Sequence, residues 1–118
     1  MGAVTGPAAA PRTLLLGRYN ASGTLRYIGR TVPLSRTATT ALANVLTPAA
    51  GEHPWAGRTF IAGWGSRDVL DVTLVRPDLV VEADVDVARG AAGRWRHPVR
   101  LHHARLDLDA GAVPLFGR

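Results

Sequence analysis

The chain contains neither lysine nor cysteine in its 118 residues, and each absence excludes a class of chemistry. Without lysine, no amine side chain is present to attack a substrate and form a covalent adduct. Without cysteine there are no disulfides, no thiolate nucleophiles and no Cys-ligated zinc or iron–sulfur sites. All 14 basic residues are therefore arginines, which hold phosphate through paired hydrogen bonds and remain charged.

The overall totals describe one globular domain with an excess of positive charge. A hydrophobic content of 47% in 118 residues is enough for a single core, and the net charge of +5 favours a polyanionic partner. No apolar run approaches the roughly 20 residues of a membrane-spanning helix, and the N-terminus has no signal-peptide pattern. We therefore expect a cytoplasmic protein without a membrane partner.

The first half of the chain predicts a lead, a hairpin and a helix. Residues 1–12 are rich in Ala, Gly and Pro without periodicity, which is typical of a disordered lead or an interdomain linker remnant, so the domain would span residues 13–118. Apolar runs at 14–19 and 25–32 flank a turn and predict a β-hairpin. Ser35 as N-cap and apolar residues at helical spacing predict a helix over about 35–46.

The second half predicts strands at 60–64, 69–75, 81–87 and 94–101. In the strand at 81–87, small or apolar residues alternate with charged ones, and Glu82, Asp84 and Asp86 share one face. In the strand at 94–101, Arg94, Arg96 and Arg100 share one face. If both apolar faces meet one core, Asp86 opposes Arg96 and Glu82 opposes Arg100. Five to six short strands around one helix predict an all-β OB-fold, a small Greek-key β-barrel.

The cross-strand charges have two compatible interpretations. They can form a solvated, self-neutralised sheet face, in which each pair contributes about 0.2–1 kcal/mol. Alternatively, Glu82 and Asp86 orient the guanidinium groups toward an incoming phosphate, since a guanidinium has five donors.

Several segments, in this order, resemble the C-terminal OB-fold domain of bacterial ATP-dependent DNA ligases over about residues 14–109. They are Leu-Gly-Arg-Tyr (16–19), Leu-Arg-Tyr-Ile-Gly-Arg-Thr-Val (25–32), His-Pro-Trp (53–55), Val-Arg-Pro-Asp-Leu-Val-Val-Glu (75–82) and Gly-Arg-Trp-Arg-His-Pro-Val-Arg (93–100). The last is similar to the start of the family's sixth nucleotidyltransferase motif. The resemblance implies a role in DNA nick sealing, repair and recombination.

The resemblance also implies which residues contact the ATP phosphates. Arg96 and Arg100 stand at the start of the motif, and Arg105 and Asp107 stand in its later part, where the family's side chains reach the leaving pyrophosphate. The chain departs from the pattern at Leu108, where the family has lysine.

Contacts to DNA are expected from the basic and aromatic residues. Arg18, Arg26 and Arg30 on the first hairpin, together with Arg94, are candidates to follow a phosphate backbone. Trp55 follows a proline in a loop, so we expect an exposed indole that stacks on a base, although packing in the core is the commoner fate of aromatic residues. The expected partner is nicked or duplex DNA, which implies association with the nucleoid.

The family's nucleophile is a lysine in a Lys-x-Asp-Gly motif on a separate adenylation domain, and this chain has no lysine. We therefore expect a fragment of a ligase, or a subunit acting in trans, that is inactive alone and uses ATP and Mg²⁺ only together with an adenylation domain. We expect no metal site, because no other acid is predicted to converge on Glu82, Asp84 and Asp86. The alternatives are a free-standing single-stranded nucleic-acid-binding OB-fold protein and a protein-interaction barrel.

Overall fold

The computed structural model describes residues 1–49, 53–56, 60, 72–77, 79–84, 98–106 and 113. These residues form a β-rich domain with one short helix, as the sequence predicts. The elements are β1 (Ala3–Thr5), β2 (Thr13–Tyr19), β3 (Leu25–Arg30), α1 (Arg36–Ala43), β4 (Val72–Leu74), β5 (Val80–Asp84) and β6 (Arg100–Arg105). The predicted strand at 60–64 lies outside the described residues except for Phe60, and so do residues 85–87 and 94–97 of the two charged strands.

The described strands form two open sheets. The first has the order β3-β2-β1-β4 with antiparallel neighbours, and the second is the antiparallel pair β5-β6. A parallel bridge between Thr31 and Val99 connects the end of β3 to the start of β6. Its hydrogen bonds run from Val32 N to Val99 O at 2.8 Å and from Val99 N to Arg30 O at 3.0 Å. The two sheets are therefore joined along one edge.

The predicted hairpin is confirmed as β2 and β3, and its turn chemistry is local. The Asn20 side-chain oxygen accepts hydrogen bonds from the backbone N–H groups of Ser22 and Thr24, both at 3.0 Å. Gly23 has φ of 80°, a left-handed conformation that glycine adopts without steric cost. An Asn side chain and a positive-φ glycine thus close the connection, as turn residues commonly do.

The predicted helix and its N-cap are also confirmed, although the helix is shorter than predicted. The Ser35 hydroxyl accepts from Ala38 N at 3.1 Å, and α1 runs from Arg36 to Ala43 rather than to residue 46. Val45 N and Leu46 N both donate to Leu42 O, which closes the last turn. The proline at position 48 disfavours helical backbone at Thr47, so the helix could not continue through that residue.

The expectation that residues 1–12 are disordered is wrong. Ala3–Thr5 forms β1 between β2 and β4, in the middle of the four-stranded sheet, and the side chains of Ala3 and Val4 are fully buried. A three-residue strand buried on both faces has no alternation of apolar and polar residues, so its sequence carries no periodic signal. The partners of β1 come from β2 and from β4, which follows about 70 residues later.

The four-stranded sheet is covered on both faces by apolar side chains. One face packs with Leu42 of α1 and with partly buried residues of β5 and β6, and the other face packs with Trp55 and Phe60. The inner cluster on the first face is Met1, Val4, Leu14, Leu16, Ile28, Leu42, Val75 and Val99; the outer cluster on the second face is Ala3, Leu15, Leu25, Trp55 and Phe60. The sheet thus forms the middle layer of the described domain.

The Trp55 ring lies directly on the backbone of two glycines. A Cβ atom added at Gly2 would be 2.7 Å from Trp55 Cζ3, and one added at Gly17 would be 2.9 Å from Trp55 Cζ2. The ring also meets Tyr27 and Phe60 edge-on, with centroid distances of 5.9 and 5.4 Å. The absence of side chains at both glycines is therefore a condition for this packing.

We predict that Gly17→Ala destabilises the protein by about 1–3 kcal/mol, because the added methyl overlaps both the Trp55 ring and Arg26 O at 2.9 Å. Urea unfolding followed by circular dichroism measures the change. Ser22→Ala, an exposed substitution in the adjoining turn, is the control and should stay within about 0.5 kcal/mol. Equal stability of the two variants would contradict the packing described for Trp55.

Candidate functional site

The hairpin brings two of its three predicted arginines together. Arg18 and Arg26 are direct cross-strand partners, and Arg18 has the same strand parity as Leu16, which packs in the inner cluster. Arg26 is exposed and Arg18 is half-buried. This end of the hairpin therefore places the two arginines side by side on one face.

Arg30 does not join Arg18 and Arg26. The register of β2 and β3 shifts between Leu16 and Gly17, so Arg30 pairs with Leu15, a member of the outer cluster. With unbroken alternation Arg30 would share a face with Arg26, since the two are four residues apart. The extra residue lies in β3, because Gly17 pairs with Tyr27 whereas Leu16 pairs with Gly29. An extra residue of this kind turns Arg30 to the opposite face.

The predicted pairing of Glu82 with Arg100 is wrong. Arg100 pairs with Asp84, and Glu82 pairs with His103. Moving a pairing by two residues leaves every side chain on its original face, so matching the apolar faces could not determine the position along the strand. Residues 85–97, which lie between β5 and β6 in the chain, are outside the described residues, whereas the chain from Pro98 onward into β6 is described.

A register shift between Glu82 and Ala83 gives Glu82 a different arginine partner. Beyond the shift, Ala104 pairs with Val81, and both Ala104 and Leu101 pack against the inner cluster although they are three residues apart. The Glu82 carboxylate accepts a hydrogen bond from Arg105 Nη1 at 2.9 Å. Glu82 therefore orients an arginine of the predicted phosphate-contacting set, but this arginine is Arg105.

The ion pair fixes the relative position of the two side chains but adds little to the free energy of folding. The side chains of Arg105 and Glu82 are 34% and 47% exposed, and exposed pairs of this kind contribute at most about 1 kcal/mol. The pair therefore fixes the position of the Arg105 guanidinium beside Glu82. Arg100, on the same strand, is exposed.

Four predicted site residues lie outside the described residues: Arg94, Arg96, Asp86 and Asp107. Their assigned roles remain predictions. Among the residues that the structure does describe, no group of three His, Asp or Glu side chains could hold a metal ion. Within the same residues, no helix is long and apolar enough to cross a membrane.

The expectation that Trp55 is exposed is wrong. Its side chain is 2% exposed, and its indole Nε1 donates to Leu25 O at 2.9 Å. The ring therefore packs as part of the outer cluster and fastens its loop to the start of β3. The preceding proline indicates only a turn, and it is the distant glycines at positions 2 and 17 that provide space for the ring.

His53 holds this loop in place. Its structural role was not predicted from the sequence. Its Nε2 lies 2.8 Å from Val75 O, and its Nδ1 accepts from Trp55 N at 2.9 Å. Because Nδ1 accepts, the hydrogen of the neutral ring is on Nε2, which then donates to Val75 O. His53 is buried and has a structural role at the junction with Val75.

A cleft of about 260 Å³ lies between the hairpin and β5. Leu16, Ile28 and Ala83 contribute apolar wall, whereas Arg18 and Glu82 contribute opposite charges. Sequence reasoning did not find this cleft, because its two walls come from strands about 50 to 65 residues apart in the chain. The cleft places one arginine of the hairpin pair and the carboxylate partner of Arg105 around the same space.

Comparisons of the chain with protein-family models, with curated proteins and with solved structures found no match. A functional assignment therefore rests on the residues of this chain and on their arrangement.

We predict that His53→Ala destabilises the protein by at least about 2 kcal/mol, because it leaves Val75 O and Trp55 N buried without their partners. Thermal and urea unfolding measure the loss. Pro54→Ala in the same loop is the control, since Pro54 is exposed and its replacement should cost no more than about 1 kcal/mol. A His53→Ala variant as stable as Pro54→Ala would refute the structural role of His53.

Proposed function

We propose that the chain is the nucleic-acid-binding and ATP-phosphate-contacting OB-fold domain of an ATP-dependent DNA ligase. The observation that carries this proposal is the direct cross-strand placement of Arg18 and Arg26, in a hairpin whose sequence resembles that domain. The domain acts together with an adenylation domain, and ATP and Mg²⁺ are used only in that combination. It binds nicked or duplex DNA in the bacterial nucleoid.

The strand order favours the barrel that this fold requires. Continuing across the bridge from Thr31 to Val99, the described strands follow the order β4-β1-β2-β3-β6-β5. The two outermost strands of this series, β4 and β5, are consecutive in the chain and are separated only by residues 75–79. A series whose outer strands are consecutive can close on itself with a short connection, which supports a small Greek-key barrel.

DNA binding at the hairpin is electrostatic. A phosphate placed between Arg18 and Arg26 accepts hydrogen bonds from both guanidinium groups, and such charge-assisted bonds to phosphate are among the strong ones. Contacts of this type position a protein on DNA without reading its sequence. The net charge of +5 adds to the attraction over longer distances.

The phosphates of ATP are contacted by the arginines of β6. Arg105 is oriented by Glu82, and Arg100 is exposed on the same strand. Together with Arg96 and Asp107, these residues occupy the positions of the motif that the sequence resembles. Arginine suits this role, since its planar donor fork matches the oxygens of phosphate. The lysine required for covalent nucleotidyl transfer is supplied by the adenylation domain.

We predict that the affinity for a fluorescein-labelled nicked duplex falls steeply between 50 and 200 mM salt, as anisotropy titrations would measure. The double variant Arg18→Gln/Arg26→Gln should decrease the magnitude of the log–log salt slope by about 1, because the one phosphate that the two arginines share contributes about 0.9. Arg12→Gln/Arg36→Gln removes the same charge from exposed positions in the segment before β2 and at the start of α1, and it should leave the slope close to that of the wild type.

Two results of this titration would contradict the proposal. Affinity that does not change with salt would refute binding through phosphates. A clear preference for a poly-pyrimidine single strand over the nicked duplex would instead indicate a free-standing single-strand-binding protein.

We also predict that incubation with radiolabelled ATP and Mg²⁺ attaches no AMP to this chain, because it contains no lysine. Denaturing gel electrophoresis with autoradiography detects the adduct, and an intact ATP-dependent ligase serves as the positive control. A labelled band at the mass of this chain would show that another side chain acts as the nucleophile.

A further inference from the structure

We propose that Thr31 is a positioning residue for the arginines of β6, because its hydroxyl bonds the end of β3 to β2 and thereby fixes the backbone on which β6 begins. The inference rests on the proposed contact between these arginines and the phosphates of ATP. It adds the residue that holds this part of the site in place. Thr31 is 1% exposed, so it acts through the backbone and not by touching the ligand.

Thr31 lies between β2 and β6 and connects them. On the β2 side, Thr31 N donates to Leu14 O at 2.9 Å, and Thr31 Oγ1 accepts from Leu14 N at 3.0 Å. On the β6 side, the neighbours of Thr31 in sequence form the parallel bridge to Val99, through Arg30 O and Val32 N. Leu14 and Val99 are both buried. A continuous set of hydrogen bonds therefore leads from β2 through the end of β3 to the start of β6.

The Thr31 hydroxyl takes the place of a backbone carbonyl. In a regular antiparallel ladder, two bonded residues exchange both of their N–H···O=C bonds, so Leu14 N would donate to Thr31 O. Here Leu14 N donates to the hydroxyl instead. The peptide unit is planar, so Thr31 O and Val32 N move together. Moving Thr31 O toward β2 would therefore pull Val32 N away from Val99 O, to which it donates at 2.8 Å. The hydroxyl satisfies Leu14 N without this movement.

The bridge determines where the arginines of β6 are placed. Val99 immediately precedes Arg100, and both its N–H and its C=O are bonded to the end of β3. Because displacements of about 1 Å are enough to weaken a well-positioned contact, a shift at Val99 should weaken phosphate binding at Arg100. Thr31 is therefore expected to affect ligand binding by way of Val99.

Two variants isolate the hydroxyl, and a third is the control. Thr31→Val replaces the hydroxyl with a methyl group of similar size, whereas Thr31→Ser retains the hydroxyl. Thr13→Val makes the same change at another buried threonine of the sheet, whose hydroxyl bonds Thr5 Oγ1 at 2.7 Å. The set separates the loss of a buried hydroxyl in general from the loss of the one beside β6.

Amide hydrogen exchange of the full chain, followed by NMR, measures the bridge. In Thr31→Val we expect the N–H groups of Val32 and Val99 to exchange at least about tenfold faster relative to Val75 N–H, because a buried donor has lost its acceptor. Val75 N–H is bonded away from the bridge and is the reference, since a general loss of stability accelerates all three. The other two variants should retain the wild-type ratio. An unchanged ratio in Thr31→Val would overturn the inference.

Binding of inorganic tripolyphosphate, measured by isothermal titration calorimetry, tests the link to the site. We expect Thr31→Val to bind at least about fivefold more weakly, with Thr31→Ser and Thr13→Val within about twofold of the wild type. If the wild type binds and Thr31→Val binds equally well, the inference is wrong and the proposed function stands. If the wild type does not bind, the proposed contact with ATP phosphates is wrong, and the exchange rates still decide whether Thr31 holds β6.

Couplings across hydrogen bonds in the wild type decide the question if Thr31→Val does not fold. NMR should show couplings from Val99 N to the carbonyl carbon of Arg30 and from Val32 N to that of Val99. Leu14 N should show no coupling to the carbonyl carbon of Thr31, because its acceptor is the hydroxyl. A coupling between these two atoms would identify the carbonyl as the acceptor and refute the role of the side chain.

Discussion

The placement of the Trp55 ring on the bare backbone of Gly2 and Gly17 is the contact on which the described structure depends most. It fastens a loop that follows α1 to β2 and to the residue immediately before β1. His53 supports it by joining Trp55 N to Val75 O, and the indole N–H adds a bond to Leu25 O. Because Gly17 immediately precedes Arg18, the same contact helps to hold the hairpin that carries the proposed phosphate-binding arginines.

Two register shifts determine which charged groups lie together. The shift between Leu16 and Gly17 separates Arg30 from Arg18 and Arg26, and the shift between Glu82 and Ala83 precedes the ion pair with Arg105. Each shift is a local break in strand alternation, and it moves the side chains beyond it to the other face of the sheet. A phosphate-binding surface built on strands is therefore sensitive to single-residue changes in pairing.

The local features were predictable because neighbouring residues produce them. The Asn20 and Gly23 turn and the Ser35 cap each depend on contacts within about five residues, and all were found where the pattern indicated. Predictions that depended on distant partners were less reliable: β1 was missed, Trp55 was placed outside the core, and Glu82 was assigned to Arg100. The first two errors concern burial by remote strands, and the third concerns displacement along a strand, which apolar patterning leaves open.

The amino-acid sequence alone determined that this chain has only arginines as cations, no lysine nucleophile, a hairpin followed by a helix, and strands with one charged face. Tertiary structure alone decided which of those charges meet. It placed Arg18 opposite Arg26, paired Glu82 with Arg105 in a salt bridge, and formed a cleft between strands that are distant in sequence. The physical reason is that composition and alternation specify the type and face of a side chain, whereas its partner depends on register and on the packing of remote elements.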